Sequence, residues 1–211
     1  MLAVFAEGRA FADATVPASD PIASIKNSIS QAVAVFNDPQ ASLADRRERL
    51  RALCEQAFDF ENMSRSVLGY HWRELTPAQR DEFVPVFTHF IQDAFLTKLQ
   101  DETVQKVRAE LKTVNIAYVR ETFDGPDYAQ VFSTVSVQEQ KDPFQVNYLM
   151  HRTADGWRVY DLTFNAISVI GNYRNQFNRV INNQGYDRLV ADLRAKEAMF
   201  QQQLDQQQPH S

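Results

Sequence analysis

Four kinds of side chain in this sequence could do chemistry, and their spacing narrows what that chemistry is. The histidines are His71, His89, His151 and His210, and none stands at metal-ligand spacing from another. The single cysteine, Cys54, cannot form an internal disulfide and excludes cysteine-based zinc and iron–sulfur sites. Ser64 and Ser168 lack a base visible in the sequence and the Gly-x-Ser-x-Gly elbow that presents a nucleophile. Asp161 is left. It closes an alternating run in which Trp157, Val159 and Asp161 are expected on one strand face. A carboxylate at the mouth of an apolar concavity can be poised as a general base. It can equally accept backbone N–H groups where the strand enters the loop Thr163–Ile167, and no second catalytic group is evident on the neighbouring strands. No catalytic set and no metal set is assigned.

These residues must be held by elements, and the pattern of punctuation defines them. Asp20-Pro21 starts a helix with Ile22, Ile25, Ile29, Val33 and Phe36 at helical spacing, ended by Asn37-Asp38-Pro39. Ser42 caps a second helix, with Leu43, Leu50, Leu53 and Cys54 inward. Asp59 opens a third, with Gly69 suited to its end. Thr76-Pro77-Ala78-Gln79 is a capping box before a wide aromatic stripe from Phe83 to Leu99, interrupted by Pro85, which predicts a kink. The period then changes from 3.6 to 2. Val114–Tyr118, Val131–Val137, Val146–Met150 and Trp157–Asp161 read as four strands joined by turns at Asp124–Asp127 and Asp155-Gly156. Helix returns from about Ser168, breaks at Gly185, and a last helix holds Leu189, Val190, Leu193 and Met199. Helices, meander, helices is an α+β order. The expected division is a leader over 1–19 and one domain over 20–200, with helices in 20–100, sheet in 110–162 and helices in 168–200. A frayed Gln-rich tail is expected over 201–211.

Composition removes further classes. Of 211 residues 44% are hydrophobic and 23% charged, which suits a globular chain able to bury a core. Only 6 glycines occur and no Gly-x-Gly-x-x-Gly loop, so phosphate cradles are disfavoured. The net charge of −5 argues against nucleic acid as a partner. No run of 18 apolar residues predicts a membrane span. Leu2–Ala6 is a short apolar run, and Ala10-Phe11-Ala12 and Ala12-Asp13-Ala14 are small-x-small triplets. The stretch reads either as a leader without structure or as the tail of a signal peptide. Phenylalanine, at 15 copies, is the unusual surplus. The stripe Phe83–Phe95 and the strand face Val131, Val135, Tyr148, Met150, Trp157 and Val159 suit a plain core, and also the wall of a cavity under a curled sheet.

An ordered set of short motifs carries a family resemblance. Phe58-Asp59-Phe60-Glu61-Asn62-Met63-Ser64, Val67-Leu68-Gly69, Trp72-Arg73 and Leu75-Thr76-Pro77-Ala78-Gln79-Arg80 resemble the N-terminal signature of the MlaC (toluene-tolerance) family. Tyr148-Leu149-Met150, Gly156–Asp161, Ile167-Ser168-Val169 and Asn172–Phe177 resemble its C-terminal signature, and Gly185-Tyr186-Asp187 fits its last helix. Asn165-Ala166 depart from the family's usual Glu-Gly, and Pro85 from its usual helix former. The resemblance implies an NTF2-like cone and a non-enzymatic, soluble periplasmic carrier. Its cargo would be a glycerophospholipid, and no cofactor is implied. Such carriers serve outer-membrane lipid asymmetry by shuttling lipid between an outer-membrane lipoprotein–porin complex and an inner-membrane MCE-protein/ABC-transporter complex. A hopanoid carrier, or an NTF2-like enzyme using Asp161, is the alternative. The expected lipid-facing residues are Phe83, Phe87, Phe90, Ile91, Phe95, Val131, Val135, Tyr148, Met150, Trp157, Val159, Ile167 and Tyr173.

Overall fold

The structure, a computed structural model, describes residues 20–97, 114–137 and 142–206; the expected leader over 1–19, His210 and the end of the Gln-rich tail lie outside them. Helix α1 (Pro21–Asn37) begins where Asp20 accepts the Ile22 amide at 2.9 Å with Pro21 in the first turn. Helix α2 (Leu43–Ala57) begins on a capping box between Ser42 and Asp45. Helix α3 (Phe60–Leu68) is capped by Asp59 and ends at Gly69, whose φ of 58° suits a residue without a side chain. After the single turn α4 (His71–Glu74), the Thr76–Gln79 capping box starts α5 (Pro77–Leu96), which runs on through Pro85.

Five strands follow: β1 (Val114–Asp124), β2 (Tyr128–Val137), β3 (Phe144–Thr153), β4 (Gly156–Phe164) and the two-residue β5 (Ile167–Ser168). They form one sheet in the order β1-β2-β3-β4-β5, and every pair is antiparallel. The expected four-strand meander is present, extended by β5. Helix α6 (Val169–Gln184) starts on the Ser168 hydroxyl, which accepts the Gly171 amide, and ends at Gly185. A Cβ at position 171 would lie 2.9 Å from Ser168 Oγ, so the cap needs glycine there. Helix α7 (Tyr186–Gln206) carries the chain through the stretch expected to fray from 201, because Leu204 is buried. Met199 on this helix is half exposed.

Three apolar clusters hold these layers together. The largest joins α3, α5, α6 and α7 and contains Val67, Leu68, Phe83, Phe87, Phe90, Phe177, Leu189 and Leu193. Phe177 meets Phe83 and Phe87 edge-on at 6.4 and 6.0 Å, a favourable aromatic geometry. The second lies between the sheet and α1 and contains Ile25, Ala129, Val131, Met150, Trp157 and Val159. The third ties Val35 and Phe36 of α1 to Leu50 of α2, Leu96 of α5 and Leu204 of α7. Phe58 packs against both of the first two clusters, and its backbone bridges Val159 at the edge of β4.

One register detail corrects the sequence reading. Met150 pairs with Val159 but Leu149 pairs with Asp161, so Tyr160 is an extra residue in β4. The bulge breaks the alternation. Leu162, opposite Tyr148, continues the row of Trp157 and Val159, and Asp161 leaves it. Periodicity alone cannot register an inserted residue.

Candidate functional site

The inner face of the sheet is built from residues that pair across strands: Ala129 with Met150, Val131 with Tyr148, Met150 with Val159 and Tyr148 with Leu162. Helices α1 and α2 lie over this face and do not close on it completely. Between them is a cavity of about 220 Å³. Its floor is Tyr148, Met150, Trp157, Val159 and Leu162. Its helical wall is Ser24, Ile25, Ser28, Ile29, Ala32 and Phe36 of α1 with Leu50, Leu53, Cys54 and Ala57 of α2, and Phe58 and Phe95 complete it.

Among the described residues the lining is uncharged at neutral pH: it contains no aspartate, glutamate, lysine, arginine or histidine. Burial pushes the Cys54 thiol up to about 11, and burial also raises the Tyr148 phenol, against a weaker opposing hydrogen bond from Ser133. The Ser28 hydroxyl turns back onto the Ser24 carbonyl at 3.0 Å, which takes its donor out of the cavity. The cavity adjoins a polar vestibule bordered by α1, α2 and the turn between β3 and β4. Asn27, Gln31, Gln56 and Asp155 line the vestibule, and Ser24, Ser28, Leu53 and Trp157 are common to both spaces.

The expected lining set divides. Phe95, Tyr148, Met150, Trp157 and Val159 line the cavity. Phe83, Phe87 and Phe90 are buried in the helical core, with Ile91 and Tyr173 packed against that core. Phe95 lies roughly a third of a turn around α5 from those three rings, at 100° per residue, so one stripe serves two surfaces. Val131 and Val135 are buried on the inner face but do not border the cavity. Ile167 is 70% exposed and borders a separate outer groove with Phe164, Tyr173 and Met199. The α1 and α2 lining is not among the expected residues, though the sequence carries a signal for it: Ser24, Ser28 and Ala32 recur every four residues beside Ile25 and Ile29, and small side chains on an inward face leave space.

Asp161 does not face the cavity. Its carboxylate accepts the Ile170 amide at 3.0 Å and the Ser168 hydroxyl at 2.5 Å, holding the start of α6 against the end of β4. Among the described residues no cluster of three potential metal ligands occurs, and no helix is long and apolar enough to cross a membrane.

The fold and site together define an α+β pocket protein, a single antiparallel sheet with an uncharged apolar cavity beneath a helical cover. The particular family follows from comparison. The MlaC protein family matches residues 26–195, and the chain belongs to that family. The structure is also similar to that of the phospholipid-binding protein from Ralstonia solanacearum in complex with a phospholipid. The TM-score is 0.68 at 22% sequence identity, over 86% of this chain and 99% of that one, a likeness of fold.

Proposed function

We propose that this protein is a periplasmic phospholipid carrier. It holds acyl tails in the cavity, leaves the headgroup at the polar vestibule, and shuttles lipid between outer-membrane lipoprotein–porin and inner-membrane MCE-protein/ABC-transporter complexes. The observation that carries the reading is the uncharged lining: a cavity walled by Ile25, Ile29, Phe36, Met150, Trp157 and Val159 offers a tail what a bilayer offers it. Each buried methylene is worth about 0.8 kcal/mol in either place. Exchange between membrane and protein is then nearly balanced, as a shuttle requires. Among the described residues the vestibule has amide and hydroxyl groups and one carboxylate, and no cation that would clamp one phosphate headgroup in particular. The chain's net charge of −5 works against tight adhesion to anionic bilayers.

A non-enzymatic role is supported by Asp161, whose two carboxylate oxygens already serve Ile170 and Ser168. Native mass spectrometry of gently purified protein tests the reading. A bound mass equal to a diacyl phospholipid is expected. Protein that is empty after such purification, and that takes up nothing from phosphatidylethanolamine and phosphatidylglycerol vesicles, overturns it. A hopanoid mass would keep the carrier and change the cargo.

A further inference from the structure

The cavity has two unlike ends. At one, Ser24, Ser28 and Trp157 border the polar vestibule. At the other, the lining closes with Phe36 near the end of α1, Phe95 near the end of α5 and Leu162 on β4. The spacing of Trp157 from Leu162 along a strand and of Ser24 from Phe36 along a helix puts these ends roughly 15–18 Å apart. An amphiphile with its headgroup at the vestibule therefore points its tail at Phe95 and Leu162. The space is short for that tail. A cavity of roughly 150 Å³ admits a benzene, so 220 Å³ takes about nine carbons, roughly half of a palmitoyl chain.

Apolar surface continues past that end on two elements. On β4 the cavity floor stops at Leu162, and Phe164, the next residue on the same strand face, borders the outer groove. On α5 Phe95 lines the cavity, while its neighbour Ala94 lines the groove, as does Phe90 one turn earlier. The two spaces thus meet across the Phe95 ring. Phe95 is 50% exposed and Phe164 45%, so close packing locks neither ring. The groove measures about 650 Å³, inside the roughly 300–1,000 Å³ of pockets that enclose small ligands. Its floor is held firmly: Phe90 meets Tyr173 edge-on at 5.7 Å and Phe200 at 6.2 Å. Ile167 and Met199 stand exposed at its rim, with Asn172, Gln176 and Lys196 as polar neighbours. Exposed apolar side chains gathered round a concavity mark a binding surface.

We propose that this groove is the distal compartment of the lipid site: it takes the terminal methylenes of an acyl chain that fills the cavity and runs on between Phe95 and Leu162. The inference rests on the carrier reading and adds to it a second compartment that governs chain length. A short chain needs only the space under α1 and α2. A membrane-length chain passes Phe95 and covers Phe164, Ile167 and Met199, which are otherwise partly in water. Each further carbon then adds apolar burial until the aromatic floor is covered.

A chain-length series on the delipidated full chain tests the groove. Lysophosphatidylcholines from decanoyl to stearoyl, each below its micelle concentration, are titrated by calorimetry. Burial of one methylene is worth about fourfold in affinity, so the wild type should tighten by about that factor per carbon through palmitoyl. Ala94→Trp fills the groove from α5. Ile167→Asp places a charge at its rim, on a side chain exposed enough to leave the core untouched. Both should bind the decanoyl chain as the wild type does. Ala94→Trp should stop tightening near dodecanoyl and bind palmitoyl about tenfold or more weakly, and Ile167→Asp should lose palmitoyl affinity several-fold. Unchanged palmitoyl affinity in either folded variant overturns the groove, as does a wild-type series that stops tightening at dodecanoyl. An equal loss at decanoyl and palmitoyl also overturns it, because the damage is then to the cavity. If Ala94→Trp does not melt cooperatively, Ile167→Asp decides. Wild-type protein that binds no chain of any length sinks the carrier reading and the groove with it, whereas chain binding that is the same in wild type and variants sinks the groove alone.

Discussion

Asp161 and Ile170 are joined by a 3.0 Å hydrogen bond from the helix amide to the strand carboxylate, and this bond turns the end of the sheet into the start of α6. Ile170 is 1% exposed and belongs to the helical core, so the bond couples the sheet to that core. Asp161→Asn keeps the shape and weakens a charge-assisted acceptor, a loss of about 1.5–3 kcal/mol. Chemical denaturation should show that loss, and native mass spectrometry should show lipid occupancy unchanged in the folded protein. Unchanged stability with lost turnover on a small substrate would restore the enzymatic alternative.

The loop after Asp161 stores strain at a single residue. Asn165 and Ala166 both have positive φ, 46° and 68°, as a two-residue hairpin turn between β4 and β5 requires. Asn165 suits that region, and its side-chain oxygen accepts the Gln145 amide at 2.9 Å. Ala166 has no such compensation and stands where the family usually has glycine. Ala166→Gly should raise stability by about 1 kcal/mol, with no change in lipid occupancy. A lower melting temperature for this variant would remove the strain argument.

The helix starts were legible because each is written in a few adjacent residues: Asp20-Pro21, Ser42, Asp59 and the Thr76–Gln79 box all cap where the sequence placed them. The strands were legible from alternation, except at Tyr160, where an inserted residue reverses the phase without changing the composition. The sheet half of the cavity was legible for the same reason. The helical half was not. The richest apolar helix, α5, is mostly core, and Phe95 is its contribution to the cavity. The helical wall comes mainly from α1 and α2, where small residues such as Ser28, Ala32 and Ala57 interleave with large ones such as Ile29 and Leu53 and leave the gap. A cavity is a missing contact, and residue types record contacts better than gaps.

Cys54 offers a reporter for the cavity. It is the chain's one thiol, it lines the cavity, and burial pushes it up to about 11. The thiolate is the reactive form, so alkylation near neutral pH should be slow and should rise about tenfold per pH unit toward that value. Lipid in the cavity should slow it further. Delipidated protein should therefore react faster with a small maleimide than protein as purified, and refilling from vesicles should restore the slow rate. Equal rates in the filled and emptied forms would move the lipid away from Cys54.

Three substitutions separate cavity from core. Ala32 lines the cavity from α1, so Ala32→Trp places an indole where a tail would lie. It should fold, melt cooperatively without lipid and carry no phospholipid. Phe87 is fully buried among Phe83, Phe177 and the helices around them. Phe87→Ala should cost about 3–5 kcal/mol and leave lipid binding intact in whatever remains folded. Val135 is buried on the inner face but away from the cavity border. Val135→Trp should overpack, at a cost of about 1–3 kcal/mol, with no separate binding defect. Thermal melts and native mass spectra on the three proteins decide the matter. An Ala32→Trp protein that folds and still carries full lipid would show that the cargo does not occupy the space between α1 and the sheet.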